Sequence, residues 1–106
     1  MQLDRSMDMK NFESVIGSGV SLVDFNALWC APCRAQQPIV KELSEDFKGH
    51  ASILEIDVDE NQHLAKQLRI VSIPTLILFK NGRELDRFVG LHSKAFLAEA
   101  IHKALA

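Results

Sequence analysis

Two cysteines, Cys30 and Cys33, stand with two residues between them in Trp29-Cys30-Ala31-Pro32-Cys33, and the 106-residue chain has no others. Such a pair can be a structural disulfide, half of a metal site, ordinary core thiols or a reversible dithiol couple. As a staple it is weak: closing so short a ring restricts the unfolded chain by only about 2 kcal/mol, against about 4.7 kcal/mol for a 100-residue loop. A structural zinc centre needs four nitrogen or sulfur ligands, and His50, His63, His92 and His102 offer no paired-ligand spacing. No metal is therefore expected. The spacing favours dithiol chemistry, in which a thiolate attacks a disulfide and a second thiol resolves the mixed disulfide.

The elements on either side assign the two roles. Val20 to Asn26 is a short apolar run suited to a strand buried on both faces. From Pro32 to Phe47 the pattern is helical, with Ile39, Val40, Leu43 and Phe47 on one face and Lys41, Glu42, Glu45 and Asp46 on the other. Pro32 suits a first helical position, where its missing N–H costs nothing, and Pro38 falls inside the helix and should bend it. Cys30 thus precedes a helix whose free N–H groups and dipole favour a thiolate, which makes it the low-pKa nucleophile. Cys33, within the first turn and more covered by the chain, is the resolving thiol.

The remaining punctuation completes the frame. Asp8 can cap a first helix through Phe12, Val15 and Ile16, which ends at Gly17-Ser18-Gly19. Gly49 follows the second helix, Ile53 to Val58 reads as a second buried strand, and Asn61 can cap a short helix carrying Leu64, Ala65 and Leu68. Thr75 to Lys80 is a third strand, Asn81-Gly82 a tight-turn pair leading to Leu85 through Val89. Ser93 can cap a last helix that places Phe96, Leu97, Ile101 and Leu105 inward. An α/β unit with a helical crossover, then a hairpin, then a helix gives a three-layer α/β/α fold around a mixed sheet. No linker or repeat divides residues 1–106, so one domain is expected.

Composition narrows the function classes. With 12 Lys+Arg against 14 Asp+Glu, a net charge of −2 and mixed signs along the chain, neither a nucleic-acid surface nor an anionic-membrane binder is expected. Met1 to Asp8 lacks the apolar core of a secretory signal, and no run approaches about 18 apolar residues. A cytoplasmic protein is expected.

The residues Val23-Asp24-Phe25, Trp29-Cys30-Ala31-Pro32-Cys33, Pro38, Ile73-Pro74-Thr75, Phe79-Lys80-Asn81-Gly82 and Val89-Gly90 resemble the thioredoxin family, with matching spacing from about residue 8 to the end. The resemblance implies that family's fold, a central mixed sheet flanked by four helices. It further implies a monomeric protein-disulfide reductase and electron carrier that needs no cofactor of its own. Its partners would be disulfide-containing proteins and a thioredoxin reductase drawing on NADPH or ferredoxin. Carried over by position, Cys30 attacks the substrate, Cys33 resolves the mixed disulfide, and Asp24 accepts the Cys33 proton. Burial without a cation raises the pKa of such a carboxyl toward neutrality. Pro74 would be a cis-proline opposite the cysteines and Ile73 would offer its backbone to an extended substrate. Trp29, Ala31, Pro32, Val89, Gly90 and Leu91 would complete an apolar, nearly uncharged rim.

Three positions depart from the family pattern. Ala31 replaces the usual Gly, and with Pro32 it would tune the redox poise. Asn26 stands where a second Trp is common and loosens the apolar bed of the active loop. Glu55 stands where Lys usually neighbours the buried Asp, so that Asp24 and Glu55 would form a coupled carboxylate pair. A dithiol oxidase or isomerase fits less well, because such relatives tend to carry His between the cysteines. A glutaredoxin-like role lacks its Pro-Tyr pair, and the chain has no Tyr. A non-catalytic binding clamp would not need both cysteines.

Overall fold

In the computed structural model, which describes residues 7–106, the chain runs α1 (Met9–Ile16), β1 (Val20–Asn26), α2 (Ala31–Asp46), β2 (Ala51–Asp57), α3 (Gln62–Gln67), β3 (Thr75–Lys80), β4 (Arg83–Val89) and α4 (Lys94–Leu105). Residues 1–6, most of the stretch without a signal core, lie outside the described residues. The sheet order is β2-β1-β3-β4. β1 and β2 are parallel through the α2 crossover, whereas β3 is antiparallel to both β1 and β4.

Alternation along the strands divides the core into two layers. Val20, Leu22, Leu76 and Leu78 meet Val40 and Leu43 of α2 and Leu97, Ile101 and Ala104 of α4. Val23, Phe25, Ile56, Ile77 and Phe79 meet Phe12 and Ile16 of α1 and Leu64 of α3. The expected fold class is the one observed: among the described residues, a four-stranded mixed sheet lies between two pairs of helices.

Local chemistry explains the boundaries. The Asp8 carboxylate accepts the Asn11 N–H at 2.8 Å and the Ser93 hydroxyl accepts the Phe96 N–H at 3.1 Å, each starting a helix. Asn81 and Gly82 both take positive φ, +51° and +83°, as a type I′ hairpin turn requires. The Asn81 side chain also accepts the Gly19 N–H at 2.8 Å, tying the turn to the start of β1.

Several expectations need correction. β2 starts at Ala51 rather than Ile53 and is an edge strand, of which only Ile56 is fully buried. β4 starts at Arg83 instead of Leu85, because the two-residue turn lets pairing begin at once. In α4 the inward stripe is Leu97, Ile101 and Ala104, while Phe96 and Leu105 are exposed. Phe96, one residue off that stripe, packs instead against Phe88, with ring centroids 5.2 Å apart. Val15 likewise faces solvent beside buried Phe12 and Ile16. Asn61 holds the N-cap position of α3 without capping it: its amide donates to the Asp57 carbonyl and its Oδ1 accepts the Met7 N–H.

Candidate active site

β1 ends at Asn26 and α2 begins at Ala31, so Cys30 falls at the N-cap. Its Sγ accepts the Cys33 N–H at 3.2 Å, and the helix starts one residue earlier than expected, with Ala31 at its first position and Pro32 at its second, where an N–H is still not needed. Cys30 and Cys33 are joined in a disulfide with their Cα atoms 5.2 Å apart. Exposure does not separate the two thiols as expected, since Cys30 is 5% and Cys33 3% accessible. What separates them is position: the Cys30 sulfur sits over the helix N-terminus, where backbone N–H groups favour a thiolate. Arg34 follows Cys33 in the first turn of α2. Its guanidinium folds back onto the Leu28 carbonyl at 3.0 Å and fastens the loop.

Across from the cysteines, the Ile73–Pro74 peptide bond is cis and the Ile73 carbonyl oxygen lies 3.8 Å from Cys30 Sγ. Pro74 itself is buried. Its carbonyl accepts the Gly90 N–H at 2.8 Å, with Gly90 at φ +92°, a conformation that L side chains rarely adopt. Trp29, Val89 and Leu91 are exposed around this centre. The chain segments that carry them also expose Leu28 (81% accessible), and the segment leading to Ile73 exposes Val71 (90%), neither of which the sequence singled out. Nor is the rim uncharged at Trp29, whose indole N–H donates to the Asp59 carboxylate at 2.8 Å.

Asp24 lies on the sheet face that α2 and α4 cover, between Leu22 and Asn26, and is 1% accessible. Burial pushes its carboxyl up to about 7. The Asn26 amide donates to Asp24 Oδ2 at 3.3 Å and opposes the rise, while the Glu55 charge adds to it less strongly. Glu55 is the direct register partner of Asp24 on the parallel neighbour, so both carboxyls project from the same face. It is solvent-exposed, and partial burial raises its own pKa against the opposing effects of Lys41 and Gln37 on α2. The paired carboxylates are therefore an unequal pair: an inner acid governed by burial and an outer one at the edge of the sheet.

Two contributors escaped sequence reasoning. Asn26 read only as a missing aromatic, although a side chain two residues along a strand shares a face with Asp24. Gln36 was not singled out in the sequence, yet it is completely buried. Its signal was its place three residues after Cys33 and four before Val40, on the inward stripe. Among the described residues no group of His, Cys, Asp and Glu could hold a metal ion, and no helix is long and apolar enough to cross a membrane.

A Cys-x-x-Cys disulfide at a helix N-cap, with the carbonyl before a cis-proline against its first sulfur, defines a thiol–disulfide oxidoreductase. Comparison with known proteins gives the family. The thioredoxin family profile matches residues 5–103. The thioredoxin of Staphylococcus saprophyticus is 50% identical over 95 residues, covering 90% of this chain and 91% of that one. That of Staphylococcus aureus is 48% identical over the same spans. Among solved structures, a mutant thioredoxin from Halobacterium salinarum superposes with a TM-score of 0.86 at 34% identity, covering 95% of this chain and 88% of that one. The thioredoxin of Malassezia sympodialis does so with a TM-score of 0.84 at 31% identity, covering 95% and 90%. The chain belongs to the thioredoxin family and is a protein-disulfide oxidoreductase with a Cys30–Cys33 redox pair.

Proposed function

We propose that the chain acts as a single-domain, monomeric electron carrier of the cytoplasm, reducing protein disulfides and being recharged by a thioredoxin reductase. The observation that carries the assignment of roles is the N-cap position of Cys30, with the Cys33 N–H directed at its sulfur. In the reduced protein the Cys30 thiolate attacks one sulfur of a substrate disulfide. A mixed disulfide forms and the first substrate thiolate leaves. Cys33 then gives its proton to Asp24 and attacks Cys30 Sγ, which expels the second substrate thiolate. Two electrons pass to the substrate and the Cys30–Cys33 disulfide remains.

Asp24 suits the acceptor role because a carboxyl held near 7 exchanges protons at neutral pH. Glu55 biases it through its charge, and Ala31 and Pro32 set the stiffness of the ring. An extended substrate segment would lie along Ile73, Pro74 and Gly90, with Trp29, Val89 and Leu91 flanking it, using backbone pairing more than side-chain identity. Insulin reduction under dithiothreitol tests the scheme. Cys30→Ser should fall to the uncatalysed rate, while pre-reduced Cys33→Ser, mixed with insulin after dithiothreitol is removed, should accumulate a covalent complex visible on a non-reducing gel. Wild-type turnover by Cys30→Ser would overturn the assignment.

A further inference from the structure

β4 ends at Val89, whose register partner is Thr75, so something other than strand pairing must fix residues 90–92. Three sets of contacts do so. The Gly90 N–H donates to the Pro74 carbonyl. Gln36, on α2, holds His92 by both backbone groups: Nε2 donates to the His92 carbonyl at 3.0 Å and Oε1 accepts the His92 N–H at 2.9 Å. The His92 ring, in turn, places Nδ1 2.9 Å from the Gly90 carbonyl and packs on Phe96, with centroids 4.8 Å apart.

A completely buried amide with both ends engaged acts like one rung of a strand ladder, and a shifted loop would leave donor and acceptor unpaired in the interior. Gln36 and Cys33 stand three residues apart on one face of α2, so the loop and the redox pair are referenced to the same helix.

We propose that Gln36 is a positioning residue, clamping the 90–92 loop through His92 so that a polypeptide meets Ile73, Gly90 and Cys30 Sγ in one register; this role rests on the reading of that loop as substrate-facing. A small aromatic disulfide needs only access to the sulfur and is indifferent to the clamp. The expected signature of Gln36→Met, which keeps length and removes both hydrogen bonds, is a rise of about tenfold in KM for insulin, the equivalent of one or two hydrogen bonds. Its kcat, and the rate with dithiobis(nitrobenzoate), should stay within about twofold.

Equal losses on both substrates, or an unchanged insulin KM, would overturn the clamp. Leu91→Glu is the companion variant. If it too leaves the insulin KM unchanged, the substrate-facing reading of the loop has failed; if it raises KM while Gln36→Met does not, the clamp alone has failed. Amide exchange in the unmutated protein gives an independent measurement, since the clamp requires the His92 N–H to be protected to the level of core α2 amides. Exchange at the rate of an open loop would refute it.

Discussion

Asp24, the proposed acceptor of the Cys33 proton, also bears on stability. Its carboxyl sits at about 7 in the folded chain against 3.8 for an unburied aspartate. Between those pH values the native state binds a proton that the unfolded state has released, so stability falls as pH rises from about 4 to about 7 and levels off above. Asp24→Asn removes the titration. The variant should be more stable than wild type at pH 8, by up to about 4 kcal/mol at roughly 1.4 kcal/mol per unit, with the gap closing toward pH 4. Urea titrations of the oxidised proteins across that range would show it, and a pH-independent difference would contradict it. Asp24 was legible in the sequence because a carboxylate inside an apolar run is conspicuous. Asn26 and Gln36 were not, because a neutral amide in a strand end or helix is unremarkable until its partners are seen.

At the level of elements, helices were legible where an apolar stripe and a capping residue agreed, as at the starts of α1 and α4, and strands where a short apolar run was unbroken, as for β1 and β3. They were misjudged where a side chain lay beside the stripe, as with Phe96 and Val15, because burial depends on the neighbour each helix meets. Asn61 shows the same limit: a good capping residue took better partners in Asp57 and Met7. The β3–β4 turn offers a direct test of local control. Asn81 tolerates φ +51° and supplies the acceptor for the Gly19 N–H. Asn81→Ala loses both features and should cost about 1–2 kcal/mol. The expected readout is a lower urea midpoint at unchanged m value, with insulin reduction intact in the folded population, since the turn joins the strand ends remote from Cys30.

For the molecule as a whole, the redox state and the fold are one thermodynamic system. Forming the Cys30–Cys33 ring restricts the unfolded chain, which loses about 2 kcal/mol of conformational freedom, while in the folded chain the helix start, with the Arg34 N–H on the Cys30 carbonyl at 3.1 Å, keeps the two residues close. The oxidised protein should therefore resist unfolding better than the reduced one. One effect opposes this order: the helix N-terminus beneath Cys30 stabilises its thiolate and so favours the reduced fold. Ala31-Pro32 adds no positive side chain to strengthen that effect, and Arg34 is turned onto the Leu28 carbonyl. Ring closure should prevail. Around the thermodynamic cycle, about 2 kcal/mol makes the folded couple roughly 40 mV more reducing than the unfolded chain, the direction required of a disulfide reductase. Guanidinium unfolding of the oxidised and dithiothreitol-reduced forms at pH 7 measures the difference. A reduced form more stable than the oxidised one would mean that this fold favours accepting electrons from its substrates over donating them.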